Sequence, residues 1–272
     1  MEIKTRVEKL KENRIQAQSW FSNQKKRLTS VPYDNRETAT IRTLSIETVI
    51  SYYQYKFHRL PKSLLDIGCG QGYTLKYVSE EYPIDILTGI DSSKEAISDA
   101  TKLNIGAEFI CEDIERIQLK TIQSYDVIFI HLCFGLFSNP LKVLETLKHY
   151  MSKESLIYII DLDRDSLGEG IRFSTSKDEE LYLRDQYNAS FTLPEFKQLL
   201  EYNTTKENRL SFKVGTSIIG GFNQFSPEFL SLIQNKRIQE TLNELSREKN
   251  EDSNELPDLL HAWIIKSENS IS

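Results

Sequence analysis

Between residues 62 and 163, short apolar runs alternate with amphipathic stretches, and this alternation constrains the fold more than any other feature. The apolar runs are continuous, which is typical of strands covered on both faces. The predicted strands are 63–67, 84–90, 107–111, 125–132 and 156–161, and the predicted helices between them are 72–81, 93–103 and 140–151. Strands and helices in alternation predict a parallel sheet, so these residues predict a five-stranded, doubly wound core.

The flanking segments predict the remaining elements. Apolar residues at helical spacing precede the core, and the polar stretch 164–190 after it looks like an insertion at the active site. The other predicted elements are helices at 2–28, 36–58, 193–202 and 227–247, a turn at 29–35, and strands at 210–220 and 261–265. We therefore expect an α/β fold with a mostly parallel, seven-stranded sheet in residues 61–272, a helical lid in 1–60 and a helical insertion near 222–258.

The composition is that of an ordinary globular protein, with 39% hydrophobic and 27% charged residues. No apolar run approaches the roughly 18 residues that cross a bilayer, and the N-terminus lacks the apolar stretch of a secretory signal. We therefore expect a cytoplasmic protein without a membrane partner. Cys69, Cys111 and Cys133 are widely spaced, which favours reduced thiols over disulfides or a zinc site. The four histidines form no cluster either, so no metal is expected.

The formal net charge of −6 disfavours a general nucleic-acid binder, which usually carries a basic surface. The charge is uneven, because residues 1–30 hold eight Lys or Arg and only three Glu. Such a basic arm could dock an acidic partner, but a solvated helix face is the more common meaning of a charge run.

A glycine-rich turn, Asp66-Ile67-Gly68-Cys69-Gly70-Gln71-Gly72, joins the first predicted strand to the next helix. Glycines let a ligand approach where a Cβ would clash, and the helix N-terminus offers free N–H groups beside that ligand. Nicotinamide and flavin folds use a similar turn. Their G-x-G-x-x-G/A spacing, however, requires Gly or Ala at position 73, where this chain has Tyr73. The spacing therefore disfavours a dinucleotide.

Polar residues stand at the ends of the next three strands, at the edge where open α/β sheets bind ligands. Asp91 ends the second strand, and a carboxylate there can accept both hydroxyls of a ribose. Asp113 and Ile114 follow the third strand, and His131 ends the fourth. Each polar residue can also be explained without a ligand, since the aspartates could cap helices and His131 could be a half-buried polar residue at the end of a strand. Their appearance in order favours a shared functional site.

Together these motifs resemble the class I S-adenosylmethionine (SAM) dependent methyltransferases over roughly residues 60–165. The resemblance implies a Rossmann-like methyltransferase fold, SAM as cofactor and S-adenosylhomocysteine (SAH) as product. In it, Asp91 binds the ribose, and Asp113 receives the adenine amino group with Ile114 beside the ring. His131 contacts the methionine portion. The expected cofactor-binding residues are Asp66, Gly68, Cys69, Gly70, Tyr73, Asp91, Ser92, Asp113, Ile114 and His131.

The fifth predicted strand leads into Asp161-Leu162-Asp163. Residues two apart on a strand face the same way, so Asp161 and Asp163 could present paired carboxylates to the cleft. Methyl transfer to an amine needs an aligned, neutral nitrogen and a group that takes up a proton, and a carboxylate serves both needs. We therefore expect Asp161 to be catalytic and both aspartates to contact substrate, although acidic residues at a strand end also cap the segment that follows.

N-methylation of DNA bases is disfavoured, because an Asn/Asp-Pro-Pro-aromatic run is missing where this chain has His131-Leu132-Cys133-Phe134. No Pro-Cys pair is present for cytosine C5 methylation. The acceptor is therefore expected to be a small molecule or a short modified peptide, and a monomer is favoured. The predicted lid is aromatic, and Trp20, Phe21 and Tyr33 are the expected substrate contacts within it.

A closer resemblance is to the plantazolicin N-methyltransferases. It rests on the Trp20-Phe21 pair, the helix start at 36–42 and the Asp161-Leu162-Asp163 strand end. These enzymes dimethylate the N-terminal amine of an arginine in an azole-rich ribosomal peptide. The resemblance implies that Asp161 holds the guanidinium or the α-amine and that Phe21 lines an azole channel. It places Thr38 and Arg42 at the mouth of the cofactor or substrate site.

Two alternatives stay open at this point. One is an O- or N-methyltransferase of another small metabolite, with His131 or His261 as base in the case of O-methylation. The other is a protein of the same fold that binds SAM without turning over an acceptor.

Overall fold

A computed structural model describes residues 7, 36–117, 123–172, 177–204, 210–217 and 259–267. The helices are α1 (Arg36–Phe57), α2 (Tyr73–Glu81), α3 (Lys94–Thr101), α4 (Pro140–Lys148), α5 (Arg164–Arg172), α6 (Lys177–Ala189) and α7 (Leu193–Thr204). The strands are β1 (Ser63–Ile67), β2 (Ile86–Asp91), β3 (Glu108–Cys111), β4 (Tyr125–His131), β5 (Met151–Leu162), β6 (Leu210–Ser217) and β7 (Leu259–Lys266). Outside the described residues lie the predicted turn at 29–35, the insertion near 222–258 with its helix, and all but one residue of the helix at 2–28.

The strands form one sheet in the order β3-β2-β1-β4-β5-β7-β6. Neighbouring strands from β3 to β5 are parallel, whereas β7 runs antiparallel to both of its neighbours. The arrangement confirms the predicted doubly wound, mostly parallel, seven-stranded sheet. Because β1 lies between β2 and β4, the winding reverses direction there. The carboxyl ends of these three strands therefore border the crevice in which such sheets bind ligands.

Helices cover both faces of the sheet, as continuous apolar strands require. On one face, α1 and α2 pack against alternate strand residues such as Leu64 and Phe129. On the other face, α4 and α7 pack over the intervening strand residues. Because side chains alternate along a strand, Asp66 and His131 belong to the α1 face, and Asp161 belongs to the α4 face.

α1 forms a layer of the core over the sheet. Ile46, Val49, Ile50 and Tyr53 follow the helical spacing expected from the sequence and are all at most 1% exposed. The first half of the helix lies at the carboxyl edge of the sheet and carries Arg42 toward the crevice. The boundary between a lid at 1–60 and a sheet domain at 61–272 stays a prediction.

Two stretches differ from the sequence-based expectation. β5 begins at Met151 and not at 156, because its first residues extend along β4, and the helix before it therefore ends at Lys148. The stretch 164–190, expected to be a polar insertion, folds into α5 and α6. These helices pack against each other. Their residues are mostly polar and include Gly168 and Gly170, a composition that is typical of loops.

Candidate active site

The glycine-rich turn forms a tight loop at the end of β1. The backbone N–H groups of Gly68 and Cys69 both donate to the carbonyl of Ile90, at 2.8 and 3.1 Å. Gly68, Gly70 and Gly72 all have positive φ, at 71°, 53° and 78°. A Cβ at Gly68 would lie 2.6 Å from Cys133 Sγ, whereas a Cβ at Gly70 would meet nothing within 4 Å. Gly70 therefore faces open space, where a ligand can approach the backbone.

Asp91 closes the other side of this space. Its Oδ2 accepts the N–H of Gly70 at 2.9 Å and its Oδ1 accepts the N–H of Ser93 at 2.8 Å. Ser93, and not Asp91, is the N-cap of α3, and Ser92 is exposed beside it. A carboxylate can accept more than the two hydrogen bonds just described, so the half-buried Asp91 can also accept the hydroxyls of a ribose.

Asp113 lies in the loop that follows β3. Its Oδ1 accepts the N–H of Glu115 at 2.9 Å, and its Oδ2 lies 3.3 Å from Nε of Arg116. The Asp113 side chain thus closes a turn on its own loop, and no helix begins at this point among the described residues. The backbone of the loop is tied to β2, because the N–H of Glu112 donates to the carbonyl of Asp91 at 3.1 Å. Ile114 is buried next to it.

A polar cluster lies beneath α1 at the base of the glycine loop. Asp66 is 2% exposed, and its Oδ2 accepts no hydrogen bond. Burial raises the pKa of its carboxyl to about 8, a shift that Asp91 reinforces and Arg42 opposes. The Arg42 guanidinium lies over the ring of Tyr73, 5.6 Å from the centroid. A buried acceptor without a donor is rare in folded proteins, and a ligand amine would satisfy it.

His131 lies on the same face, and its Nε2 is buried without a hydrogen-bond partner. Burial lowers the pKa of the imidazole to about 3, and the positive charge of Arg42 adds to the shift. His261 is fully buried on β7, with its Nδ1 2.6 Å from the Tyr158 hydroxyl. His131 is thus a neutral imidazole of low basicity, and His261 is enclosed in the core. Both observations disfavour a mechanism with a histidine base.

Asp161 lies within β5, and Asp163 follows directly after the end of that strand. Asp161 lies near the end of β5, where its Oδ2 accepts the N–H of Gly135 at 2.5 Å and its Oδ1 accepts the N–H of Leu162 at 2.7 Å. β5 ends at Leu162, and Asp163 follows it in an isolated parallel bridge with Phe191; Asp161 and Asp163 are both 7% exposed. The backbone carbonyl of Asp163 accepts the N–H of Leu167 in the first turn of α5, and its Oδ1 lies 3.4 Å from the N–H of Asp165. Asp163 therefore caps the first turn of α5, a role that the sequence leaves open for an acidic residue at a strand end.

The structure brings together Asp66, Gly70, Asp91 and Arg42 around the glycine loop. Of the other predicted substrate contacts, Trp20, Phe21 and Tyr33 lie outside the described residues, and Thr38 is described only as part of the backbone of α1. These four assignments stay predictions. Sequence reasoning missed Glu115 and Gly135, whose partners lie more than 20 residues away along the chain.

No group of three or more His, Cys, Asp or Glu side chains in the described ranges is arranged to hold a metal ion. None of the helices among those ranges combines the length and apolar character of a membrane span.

The family model of the methyltransferase domain matches residues 61–219. Malonyl-[acyl-carrier protein] O-methyltransferase of Bacillus cereus is 29% identical over 137 residues, which are 45% of this chain and 50% of that protein. The chain thus spans about half the length of the curated relatives it matches.

Two solved structures are similar over nearly the whole chain. The plantazolicin methyltransferase BamL is 51% identical, with a TM-score of 0.87, and the match covers 97% of this chain and 99% of that one. The plantazolicin methyltransferase BpumL is 53% identical, with a TM-score of 0.85, and the match covers 98% of this chain and 100% of that one. Both structures hold a triazolic desmethylPZN analogue and SAH. The strand order, the glycine loop and these similarities agree: the chain belongs to the methyltransferase domain family and, within it, to the family of the plantazolicin methyltransferases.

Proposed function

We propose that this protein transfers methyl groups from SAM to the N-terminal amine of an arginine in an azole-containing ribosomal peptide, and that it does so twice. The observation that carries the proposal is the similarity, at 51% identity over 97% of the chain, to a methyltransferase solved with a desmethylPZN analogue and SAH. The described site offers partners for each part of such a cofactor. We further propose a cytoplasmic, monomeric enzyme without a nucleic-acid partner.

Three groups of residues would hold the cofactor. Gly70 provides open backbone for close approach, and Asp91 provides the acceptor for two ribose hydroxyls. Asp66 would pair with the ammonium of the methionine portion, because its Oδ2 is buried and accepts no other donor. Arg42 lies close enough to Asp66 and to His131 to interact electrostatically with each of them, so the three residues border the same end of the site. The expected contacts of Asp113 and Ile114 with adenine, and of Cys69, Tyr73 and Ser92 with SAM, belong to this proposal.

SAM supplies an electrophilic methyl group when it is bound. The protein must then present an uncharged amine in line with that methyl and keep water away. Asp161 is suited to orient the amine, because the hydrogen bonds from the N–H groups of Gly135 and Leu162 fix the orientation of its carboxylate near the end of β5. A carboxylate at this place holds one N–H of the amine and takes up the proton that the product ammonium loses. A guanidinium could use the same acceptor.

The remaining substrate contacts are those that the resemblance to the plantazolicin methyltransferases implies. Trp20, Phe21 and Tyr33 would line the azole channel, and Thr38 and Arg42 would stand at its mouth. Asp163 is the weakest of the proposed contacts, because its backbone and side chain already cap α5.

Mass spectrometry tests the acceptor directly. A desmethyl azole peptide with an N-terminal arginine, incubated with SAM and the purified protein, should gain two methyl groups on its α-amine. The same peptide with an acetylated N-terminus is the control and should gain none. Methylation of a carboxylate or a phenol in place of the amine would overturn the proposal and favour the O-methyltransferase alternative, which the malonyl-[acyl-carrier protein] O-methyltransferase relatives represent.

Substitution of Asp161 tests the catalytic assignment. Asp161→Asn keeps an oxygen acceptor for the N–H of Gly135 but removes the charge that takes up a proton. We expect kcat to fall by about 100-fold or more, the usual effect of losing a positioned acid–base group, while SAH affinity measured by calorimetry is retained. Asp85→Asn, at an exposed position before β2, is the control. Wild-type turnover in Asp161→Asn would remove Asp161 from the mechanism.

A further inference from the structure

Glu115 joins two loops that border the crevice but are distant in sequence. Its Oε1 accepts the N–H of Asn139 at 2.5 Å, and its Oε2 accepts the N–H of Ser138 at 2.9 Å. The Ser138 hydroxyl lies 2.9 Å from both carboxylate oxygens. Both backbone groups precede α4, whose N-cap is Asn139, so the carboxylate also meets the positive end of that helix. One half-buried side chain thus accepts three donors from the loop after β4.

The other end of Glu115 organises the loop after β3. Its backbone N–H donates to Oδ1 of Asp113 at 2.9 Å, and Ile114 between them is 5% exposed. The N–H groups of Arg116 and Ile117 donate to the carbonyl of Asp113, both at 2.9 Å, which closes the loop into a turn. Asp113 and Ile114 are the residues to which the proposed function gives the adenine of the cofactor. Their position therefore depends on where the Glu115 carboxylate is held.

The loop after β4 is held at a second point. The N–H of Gly135 donates to Asp161 at 2.5 Å, three residues before the Ser138 that contacts Glu115. Two carboxylates, one from each side of the crevice, therefore fix this loop between the proposed adenine and acceptor positions. Neither contact is local in sequence, so both exist only when β3, β4 and β5 are assembled.

We propose that Glu115 is a positioning residue for the adenine end of the cofactor site: it holds the turn of Asp113 and Ile114 against the N-terminus of α4. This inference rests on the proposed function. It goes beyond it because the proposed function assigns Glu115 no role, and the carboxylate of Glu115 contacts Ser138 and Asn139. Without its carboxylate, the turn loses its attachment to the N-terminus of α4 and keeps its backbone bond to β2, so the adenine contacts are less firmly positioned before binding.

Calorimetry with two ligands tests the proposal. SAH contains adenine, ribose and the amino-acid portion, whereas 5′-methylthioadenosine contains adenine and ribose only. For Glu115→Ala we expect the Kd of both ligands to rise by the same factor, about tenfold, comparable to losing one charge-assisted hydrogen bond. Glu115→Gln keeps an oxygen acceptor for one of the two backbone donors, so its Kd values should lie between those of wild type and Glu115→Ala.

The control is Glu145→Ala, which removes a carboxylate from the same helix region. Glu145 is 57% exposed in its side chain and interacts with Lys148 and Asn203, away from the crevice. Its loss should leave both Kd values unchanged. If Glu115→Ala does not fold, Ser138→Ala, which removes a hydroxyl donor to Glu115 and keeps both backbone contacts, should still weaken both ligands, and equally.

The outcomes separate this inference from the function on which it rests. Wild type that binds neither SAH nor 5′-methylthioadenosine would refute the proposed cofactor. Wild type that binds both, with Glu115→Ala binding them equally well, would refute the positioning role alone. Loss of SAH affinity with unchanged affinity for 5′-methylthioadenosine would also refute it, because the defect would then lie at the amino-acid end. A purely structural role would lower the unfolding temperature of Glu115→Ala without changing either Kd.

Discussion

Asp66 combines a functional position with an unusual protonation state. Its carboxyl is 2% exposed and its pKa is raised to about 8, chiefly by burial. In the unfolded chain an aspartate titrates near ~3.9. Between these two values the folded protein binds a proton that the unfolded chain does not, so the contribution of Asp66 to stability is complete below ~4 and is lost as the pH rises through about 8.

This linkage predicts a pH-dependent difference between wild type and Asp66→Asn in the cofactor-free protein. The variant is uncharged at every pH, so the free energy of unfolding of wild type should fall relative to it as the pH rises from 5 to 7.5. The slope expected for one proton is about 1.4 kcal/mol per pH unit. Urea denaturation at several pH values measures it. A constant difference over this range would contradict the raised pKa.

The proposed ammonium partner adds a second prediction for Asp66. A positive ligand charge beside the carboxyl favours its ionised form, so SAH binding at pH 7 should release protons. Calorimetry in buffers of different ionisation enthalpy measures that release as a buffer-dependent heat. The release should be smaller in Asp66→Asn. Equal release in the two proteins would place the ammonium elsewhere.

At the scale of elements, the glycine loop shows that its glycines have different tasks. The backbone of both Gly68 and Gly70 is left-handed, at φ of 71° and 53°. Of these two, Gly68 is enclosed, since a Cβ there would lie 2.6 Å from Cys133 Sγ, which itself contacts the carbonyl of Ile67 at 3.2 Å. The glycine-rich turn therefore needs Gly68 in order to pack against the loop after β4, and Gly70 in order to leave room for a ligand.

Alanine substitutions should separate these two tasks. Gly68→Ala combines left-handed strain with overpacking, and we expect it to lower the free energy of unfolding by about 2–4 kcal/mol. Gly70→Ala carries the left-handed cost alone, about 1 kcal/mol, but places a methyl group in the proposed cofactor space. Urea denaturation and SAH calorimetry on both variants check this. If Gly70→Ala binds SAH as wild type does, the open space beside Gly70 is not the cofactor site.

At the scale of the whole molecule, α1 connects the crevice to the opposite edge of the sheet. Arg42 on its first half lies over Tyr73, and just after its end Arg59 binds the carboxylate of Asp126 through two nitrogens, at 2.8 and 3.3 Å. Burial opposes ionisation of Asp126, but hydrogen bonds from Arg59, from the Lys62 N–H and from Ser152 hold its pKa below the ordinary value. This ion pair between Arg59 and Asp126, here called the clamp, fixes the far end of α1.

Removal of the clamp should destabilise the fold more than removal of an ordinary surface ion pair. Arg59→Ala leaves the largely buried Asp126 without its charged partner, and we expect a loss of about 2 kcal/mol, less than for a fully buried pair because Arg59 is 35% exposed. Arg184→Ala removes an exposed pair within α6 and should cost about 0.5 kcal/mol or less. Equal losses in the two variants would contradict the clamp.

The prediction of the sheet and of the strand-end residues depended on local information. Whether a strand is apolar throughout, whether a turn requires positive φ, and which residue ends a strand are properties of a few neighbouring residues, and they locate Gly68, Asp91 and His131. The helices at 164–190 were missed because their residues are mostly polar and include Gly168 and Gly170, a composition that is typical of loops.

The sequence by itself thus determined the alternation of strands and helices, the glycine loop and the order of polar residues along the crevice. Only the tertiary structure decided how those residues act. It inserts β7 between β5 and β6, leaves Oδ2 of Asp66 without a donor, pairs Asp161 with Gly135 and joins Glu115 to Ser138. The physical reason is that burial, charge and hydrogen bonding of a side chain depend on groups brought near by the fold, and their distance along the chain hides them from any local pattern.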